Sequence, residues 1–395
     1  QLFGSRLIEK YPRKKIVLTA VLTEALLWSP MFIIAYLFSK GIITSLLPLF
    51  FVLFFALRIM AANAGGPAWF SWIGDLVDDN YRGRWFAKRN LIHGFIGIVL
   101  ALGASFFLDK MKTIGFTMIG FMILFFLAMT ARLMSWFFMK SQYEPKLKLK
   151  KGYYFSFWNF LTNARHNNLG RFALFRGCLT FAQAIAAPLT VVYLLRNLNL
   201  SYSLFMIITM SGSLASIMLL RVWGKFADKY GNYKTLMITS FIIPAIPILW
   251  VLSPNLIYLI LVPSMLGGIA WAGFNLAAGN FIYDNTSSER RGLAVSYYNM
   301  LFGTGTFLGA GLGAILIKYI NTITIQPIFI VFLISTIARA LVVIIGIPKL
   351  KETRKIKKFE GKKAFRNLVL KNGRHTIGEE IHQIASIKEY IFEKS

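Results

Sequence analysis

Five charged side chains fall inside apolar stretches that are long enough to cross a membrane: Glu24, Arg58, Arg132, Arg176 and Arg339. A charge inside a bilayer is costly, so each such residue is a candidate for binding or coupling. A guanidinium group would bind an anionic part of a solute, whereas a carboxylate could serve as its counter-ion or carry a proton. The sequence therefore points first to chemistry of binding and charge transfer within a membrane.

The chain carries one arrangement of residues twice, which allows these charges to be compared. An acid, an Arg-Gly pair and an asparagine recur with identical spacing 209 positions later: Asp75, Arg82, Gly83 and Asn90, then Asp284, Arg291, Gly292 and Asn299. Two further matches follow in the same order, at offsets of 219 and 207: 5–15 with 224–234, and Ala131-Arg132 with Ala338-Arg339. A tandem repeat of membrane segments is an architecture strongly associated with transporters.

The repeat separates shared charges from charges found in one half only. Arg132 and Arg339 occupy equivalent positions near basic loops, and we interpret them as structural. Glu24 and Arg58 have no charged counterpart, because Ile243 and Gly267 stand at the equivalent positions. Both lie about 22–25 Å from the nearest repeated acid at 1.5 Å per helical residue, so they could pair.

We expect Arg58 to bind an anionic group of a substrate or to modulate a proton site. Glu24 would then be its counter-ion or the group that carries the proton. A purely structural buried pair is the alternative. In the second half, the candidates for substrate binding or coupling are Arg176, Gln183 and Asn275, although Arg176 lies close to a helix end and its side chain could instead reach the interface.

Composition and charge distribution support a membrane protein. The 395 residues are 56% hydrophobic, with a mean hydropathy of +0.59 and a net charge of +28. Of the 44 Lys and Arg residues, 35 fall in the terminal segments and alternate loops and only five in the intervening loops. This positive-inside pattern predicts that both termini are cytoplasmic, and it explains the basicity without a nucleic-acid partner.

Hydropathy predicts ten spans, at roughly 15–38, 44–66, 90–108, 113–139, 171–195, 202–222, 235–252, 256–283, 293–317 and 326–347. The repeat also predicts two further spans before residue 1, so that a six-plus-six protein is represented as four plus six; a genuine ten-span chain is the alternative. The expected divisions are a first half (1–140), a linker with an interfacial helix (141–169), a second half (170–347) and a basic tail suited to anionic lipids (348–395).

The segment Gly224-Lys225-Phe226-Ala227-Asp228-Lys229-Tyr230-Gly231-Asn232-Tyr233-Lys234 resembles the signature loop of the major facilitator superfamily, and 5–15 resembles a degraded copy of it. The resemblance covers residues 1–347. It implies an all-α transmembrane helical bundle with the major facilitator fold, two pseudo-symmetric halves and 10 of 12 helices present. The residues it implies in a conformational gate are Glu9, Arg13, Asp75, Arg82, Gly224, Asp228, Lys229, Gly231, Asp284 and Arg291.

Within this gate, the loop acids are expected at helix N-termini of the opposite half, where unpaired N–H groups attract them. Asp228 would approach the helix containing 84–90, and Glu9 the helix containing 292–296. Arg13 is expected to pair with Asp75. In the second half Asn232 replaces the basic residue, which leaves the partner of Asp284 open, with Lys234 or Lys229 as substitutes. Solvated loops without a gating role are the alternative.

The resemblance implies secondary transport of a small solute by alternating access, either proton-coupled or as efflux. The alternative is a transporter-like sensor or lipid-handling protein. An enzyme is not expected, because GxSxG, P-loop and paired-histidine metal motifs are missing and Cys178 is the single cysteine, so neither cofactor nor metal is predicted. The glycine-rich run 303–313 is better explained by close helix packing. The expected setting is a monomer in the plasma membrane, in contact with anionic lipids.

Overall fold

The computed structural model describes residues 11–42, 46–77, 79–145, 157–286, 288–320 and 326–353; the side chains of 70, 71, 74, 79–88, 90, 91 and 288–293 lie outside the description. Its helices are α1 (Arg13–Leu26), α2 (Trp28–Ser39), α3 (Leu47–Leu76), α4 (Asp79–Thr113), α5 (Thr117–Lys140), α6 (Phe157–Thr162), α7 (Asn168–Val192), α8 (Tyr202–Tyr230), α9 (Asn232–Ile242), α10 (Ile246–Val251), α11 (Leu256–Leu259), α12 (Leu266–Asp284), α13 (Ser288–Tyr319) and α14 (Pro327–Gly346).

Ten segments of the described chain are long and apolar enough to cross a membrane: Arg13–Ser39, Leu47–Trp69, Ile92–Thr113, Thr117–Lys140, Asn168–Asn197, Tyr202–Tyr230, Asn232–Val251, Leu256–Asp284, Ala294–Tyr319 and Pro327–Lys349. They agree in number and position with the ten spans predicted from hydropathy. Four of them contain short turns of π or 3-10 helix: Tyr193–Asn197, Ile243–Ala245, Ile260–Met265 and Ile347–Lys349.

The chain forms two compact units. Unit 1 comprises 1–154 together with 201–206, and unit 2 comprises 155–200 together with 207–395. In unit 1, α1 packs on α3 and α5. A buried cluster joins Val17 and Val21 of α1 to Ala68 and Trp72 of α3. The Trp72 Nε1 donates to the Tyr143 carbonyl at 2.8 Å, so the chain leaving α5 is held against the same cluster.

In unit 2, glycines bring α13 and α7 close together. A Cβ atom added at Gly305, Gly309 or Gly313 would lie 2.1–2.4 Å from a backbone carbonyl oxygen of α7. The three glycines are four residues apart and therefore share one face of α13. This contact confirms that close packing, not a nucleotide loop, explains the glycine-rich run.

The internal repeat is visible in how each unit packs. In unit 1, a Cβ at Gly65 would lie 2.9 Å from the Cβ of Ala20. In unit 2, a Cβ at Gly273 would lie 2.8 Å from the Cγ2 of Thr239, which stands 219 positions after Ala20. The same helix crossing is therefore built twice, with a glycine on the second helix of each pair.

The linker contains the short helix α6, which falls within the predicted interfacial segment. Phe160 is buried, and its ring lies 5.4 Å from that of Tyr297, while Trp158 remains 70% exposed. The helix thus packs on unit 2 by one face and leaves an aromatic side chain outward. Of the expected basic tail (348–395), residues 354–395 lie outside the described residues.

Candidate functional site

Unit 1 contains a cluster of one acid and two arginines. Arg58 Nη1 lies 3.4 Å from Glu24 Oε1, and Arg132 Nε donates to Glu24 Oε2 at 2.7 Å. Arg132 Nη2 forms a second contact with the same oxygen. Helices α1, α3 and α5 each supply one member, and 10% of the Glu24 side chain is exposed. The cluster carries a net charge of +1.

Two aromatic rings hold the Arg58 guanidinium. Its central carbon lies 4.5 Å from the Trp28 ring centroid and 5.1 Å from that of Phe55. A guanidinium within about 6 Å of an aromatic face is attracted by the ring quadrupole. Among the described residues, Arg58 Nε is buried without a hydrogen-bond partner, which leaves one of its donors unused there.

Unit 2 contains a second buried arginine. Arg176 on α7 is 6% exposed, and its guanidinium carbon lies 4.8–5.1 Å from three ring centroids, those of Trp271, Phe274 and Phe302. Asn275 accepts from Nη2 at 3.4 Å. The side chain therefore does not reach toward the interface, and the candidates Arg176 and Asn275 meet at one place.

Besides Asn275, the Tyr298 side chain also hydrogen-bonds to Arg176, and part of the capacity of the guanidinium remains unused. Its Nε and Nη1 are buried without a partner in the described structure. The six spans of unit 2 contain only two acidic residues, Asp228 and Asp284, and both lie at helix ends. A buried cation of this kind favours an anion that would pair with it and use its free donors.

Gln183 contributes its backbone to a contact with a repeated arginine, and its role in substrate binding or coupling stays a prediction. It lies two helical turns beyond Arg176 on α7, and its backbone carbonyl accepts from Arg339 Nη2 at 3.3 Å. Arg339 Nη1 donates to the Ile243 carbonyl, also at 3.3 Å. That carbonyl lacks the α-helical donor four places on, because that residue is Pro247, which has no N–H, and it accepts instead from the Ile246 N–H of a 3-10 turn. Arg339 thus closes a helix break.

The repeated arginines therefore reach equivalent positions with different partners. Arg132 contacts the side chain of Glu24, and Arg339 contacts the backbone of Ile243, the counterpart of Glu24. The backbone contacts of Arg339 agree with the interpretation of the repeated arginines as structural. It is incomplete for Arg132, which belongs to the cluster of unit 1.

In each unit, a polar contact between equivalent repeat positions joins two helices at the end that carries the basic loops. In unit 1, Arg13 is 1% exposed and donates to Asp75 Oδ2 at 2.5 Å, the pairing expected from the sequence. In unit 2, Asn232 Nδ2 donates to Asp284 Oδ2 at 2.7 Å. Asn232 itself therefore supplies a donor to Asp284, at the repeat position of Arg13. Lys229 lies over the Tyr230 ring, at 5.0 Å.

The fold and these contacts can be compared with known proteins. Residues 172–377 match the sequence family described as the Major Facilitator Superfamily, which is more than half of the chain. The chain belongs to the Major Facilitator Superfamily. The E. coli fucose:proton symporter FucP is similar in structure, with 15% sequence identity, a TM-score of 0.51, and coverage of 88% of this chain and 86% of that chain. At this identity the likeness shows the fold alone. No curated protein matches the chain in sequence.

Membership of the Major Facilitator Superfamily makes this chain a multi-pass membrane protein and supports secondary transport rather than catalysis. The all-helical architecture agrees with the predicted fold class. Within the described residues there is also no group of three His, Cys, Asp or Glu residues that could hold a metal ion.

Gly231 and Gly224 of this superfamily member serve different purposes. Gly231 has a φ of 93° and is the single residue between α8 and α9, so it provides the positive φ that this turn requires. Gly224 lies within α8, and a Cβ there would meet no atom of the described residues within 4 Å. Asp228 is exposed in the last turn of α8.

Several predicted gate contacts involve residues or side chains outside the described part of the chain. Glu9 lies outside the described residues, as do the side chains of Arg82 and Arg291. The helix starts expected to receive Glu9 and Asp228 fall on undescribed side chains as well. These contacts stay predictions.

Among the acids at helix N-termini that sequence reasoning missed, Glu144 and Glu352 are related by the repeat. Glu144 Oε1 accepts from the Lys14 N–H at 3.2 Å, in the first turn of α1. Glu352 Oε2 accepts from the Tyr233 N–H at 2.9 Å, in the first turn of α9. Both acids follow the last helix of their unit and stand 208 positions apart, close to the repeat offset of 207. That offset was the signal that could have revealed them.

Proposed function

We propose that this protein is a secondary transporter of a small anionic solute, working by alternating access. Family membership supports the transport role, and the buried Arg176 supports the charge of the solute. Arg176 keeps two guanidinium nitrogens without partners in a half whose spans carry no acid away from their ends. A carboxylate or phosphate group would supply the missing acceptors and the opposite charge.

The aromatic rings around Arg176 suggest the rest of the solute. Trp271, Phe274 and Phe302 surround the guanidinium by their faces and would present apolar walls beside it. Binding sites of small molecules commonly combine such walls with a few placed polar groups. The proposed solute is therefore an organic anion with an apolar or planar body, oriented by Asn275.

A thermal-shift screen tests this proposal directly. Purified protein is heated with matched pairs of solutes, each pair comprising a carboxylic acid and its amide. Ligands that bind the folded form raise the melting temperature, so the anionic member should stabilise and the amide should not. The Arg176→Gln variant should lose about 10- to 100-fold in affinity, the usual range for hydrogen bonds to a charged group.

Arg196→Gln is the matched control, because Arg196 is exposed at the far end of the same continuous helical segment. Equal loss in both variants would refute a specific role for Arg176. Stabilisation by the amides and not by the acids would refute an anionic solute.

For coupling, we assign the proton-sensitive role to Glu24, the acid placed near the middle of a span in unit 1. An anionic group binding at Arg58 would compete with the Glu24 carboxylate, and the freed carboxylate could take up a proton. Uptake into proteoliposomes is measured against pH for wild type and Glu24→Gln. The variant should lose the pH dependence, and an identical pH profile would rule out the proton role.

The same vesicles separate uptake from efflux and transport from sensing. A solute that moves against its gradient, and stops when the proton gradient is collapsed, identifies a proton-coupled carrier. Binding without movement in either direction would favour the transporter-like sensor. The accompanying proposal is a monomer in the plasma membrane with its basic loops in the cytoplasm. Protease accessibility of the basic tail in oriented vesicles would test this orientation.

A further inference from the structure

A groove on unit 1 runs along the outer face of α1 beside α5. It has a volume of about 450 Å³. Its walls are apolar toward one end and basic toward the other, with lining residues Pro12, Lys14, Lys15, Leu18, Thr19, Leu22, Thr23, Leu26, Trp136 and Glu144. A volume of this size lies within the usual range of small-molecule sites.

The apolar part of the groove follows one helix face. Leu18, Leu22 and Leu26 are four residues apart, and they continue the line that starts at Lys15. From Lys15 to Leu26 the helix rises about 16 Å at 1.5 Å per residue. This length matches one leaflet, since the hydrocarbon core of a bilayer is about 30 Å thick.

The basic end is arranged at the level where headgroups lie. Lys15 and Lys140 are exposed, and the Lys140 ammonium lies 5.3 Å from the Trp136 ring. Tryptophan is enriched at the membrane interface, which fits this level. Lys14 is already engaged, because its Nζ donates to the Gln142 carbonyl at 2.6 Å. Glu144 also lines this end, but its Oε1 accepts from the Lys14 N–H, and Arg13 Nε lies 4.0 Å from the same oxygen.

We propose that this groove binds an anionic phospholipid of the basic-side leaflet. The phosphate lies between Lys15 and Lys140, and one acyl chain follows Leu18, Leu22 and Leu26. The hydroxyls of the exposed Thr19 and Thr23 flank the acyl path near the ester region. The chain's own tail is a poor occupant, because 349–363 carries the same positive charge as the rim.

Brominated lipids test the proposal through Trp136. Wild-type protein and Trp136→Phe are reconstituted in vesicles containing dibrominated phosphatidylglycerol or dibrominated phosphatidylcholine. The difference in quenching between the two proteins isolates the Trp136 signal from that of the other eight tryptophans. We expect this signal to be quenched at lower mole fractions of the anionic lipid than of the neutral one.

The Lys15→Gln/Lys140→Gln variant should lose this preference. Two lysines near an anionic surface together account for roughly a 30-fold preference. Lys40→Gln is the matched control, since Lys40 is exposed beside Tyr36 at the other end of the α1–α2 span, and it should retain the preference.

Equal quenching of Trp136 by the two lipids, or an unchanged preference in the double variant, would overturn the proposal. If the double variant does not fold, native mass spectrometry of the wild type with phosphatidylglycerol replaces it. A bound anionic lipid that phosphatidylcholine cannot displace would support the site, and ready displacement would refute it. Neither result bears on the solute site of unit 2.

Discussion

Replacement of Glu24 by Gln should destabilise the protein, because it leaves two arginines in unit 1 without their shared acid. Removing one partner of a buried ion pair typically costs about 3–5 kcal/mol, since the remaining charge stays buried. Here 34% of the Arg132 side chain is exposed and 17% of that of Arg58, so solvent screening lowers the cost. We expect about 2–3 kcal/mol for Glu24→Gln.

The assay is the apparent melting temperature in detergent at a fixed scan rate, read from tryptophan fluorescence. A loss of this size should lower it by about 4–6 °C. Arg132→Gln should cost less, because Arg58 still faces Glu24 and the Arg132 side chain is partly exposed. Arg196→Gln, the change of an exposed arginine, should leave the melting temperature unaltered.

The double variant Glu24→Gln/Arg132→Gln tests whether Glu24 and Arg132 are energetically coupled. Since it removes both a carboxylate and a surplus cation, it should melt above Glu24→Gln alone. Interacting residues commonly show coupling of about 0.5–3 kcal/mol in such cycles. Strictly additive shifts, or a Glu24→Gln protein that melts with the wild type, would show that the cluster is not an energetic unit.

Three further changes have expected outcomes. Gly309→Val should abolish a monodisperse size-exclusion peak, because its Cβ would lie 2.2 Å from a carbonyl oxygen of α7, whereas Gly303→Val meets open space and should elute normally. Asn232→Leu should lower stability by about 1.5–3 kcal/mol, the usual range for a hydrogen bond to a charged group, through the lost bond to Asp284, and Asn232→Arg, which copies the first half, should melt at or above wild type. Gly231→Ala should cost about 1–2 kcal/mol, because φ is 93° there, and its melting curve would show this as a lower midpoint.

The resemblance to the superfamily predicted one contact next to helix ends. It implied that Arg13 pairs with Asp75, and the structure places them 2.5 Å apart. The depth of a side chain is also readable, because a helix rises by a fixed 1.5 Å per residue. Glu24 and Arg58 were matched in depth by this arithmetic and are in contact.

The direction in which a side chain points around its helix is not readable in this way. Arg132 contacts Glu24 because the face of α5 that carries Arg132 lies against α1. The sequence alone does not show which face of α5 meets which neighbouring helix. Arg176 shows the same gap. Its position near a helix end suggested an interfacial side chain, but aromatic residues of α12 and α13 cover it. Which helices are neighbours decides its burial.

Comparison of repeat positions explains why the halves differ in chemistry. Positions 24, 28 and 58 of the first half correspond to 243, 247 and 267 of the second. In unit 1 they hold Glu24, Trp28 and Arg58, which meet in one charged cluster. At the equivalent places unit 2 has an aliphatic residue, a proline and a glycine.

The proline changes the role of the repeated arginine. With Pro247 in place of Trp28, the carbonyl at 243 lacks a donor four residues on, and it accepts from the Ile246 N–H of the 3-10 turn and from Arg339 Nη1. Arg132 contacts the Glu24 carboxylate where Arg339 contacts a backbone carbonyl. The repeated arginine thus contacts a carboxylate in the unit that has Trp28 and a backbone carbonyl in the unit that has Pro247. It follows that a charged pair cannot be transplanted into unit 2 by Ile243→Glu and Gly267→Arg alone, because Arg339 would still be required at the break that Pro247 creates.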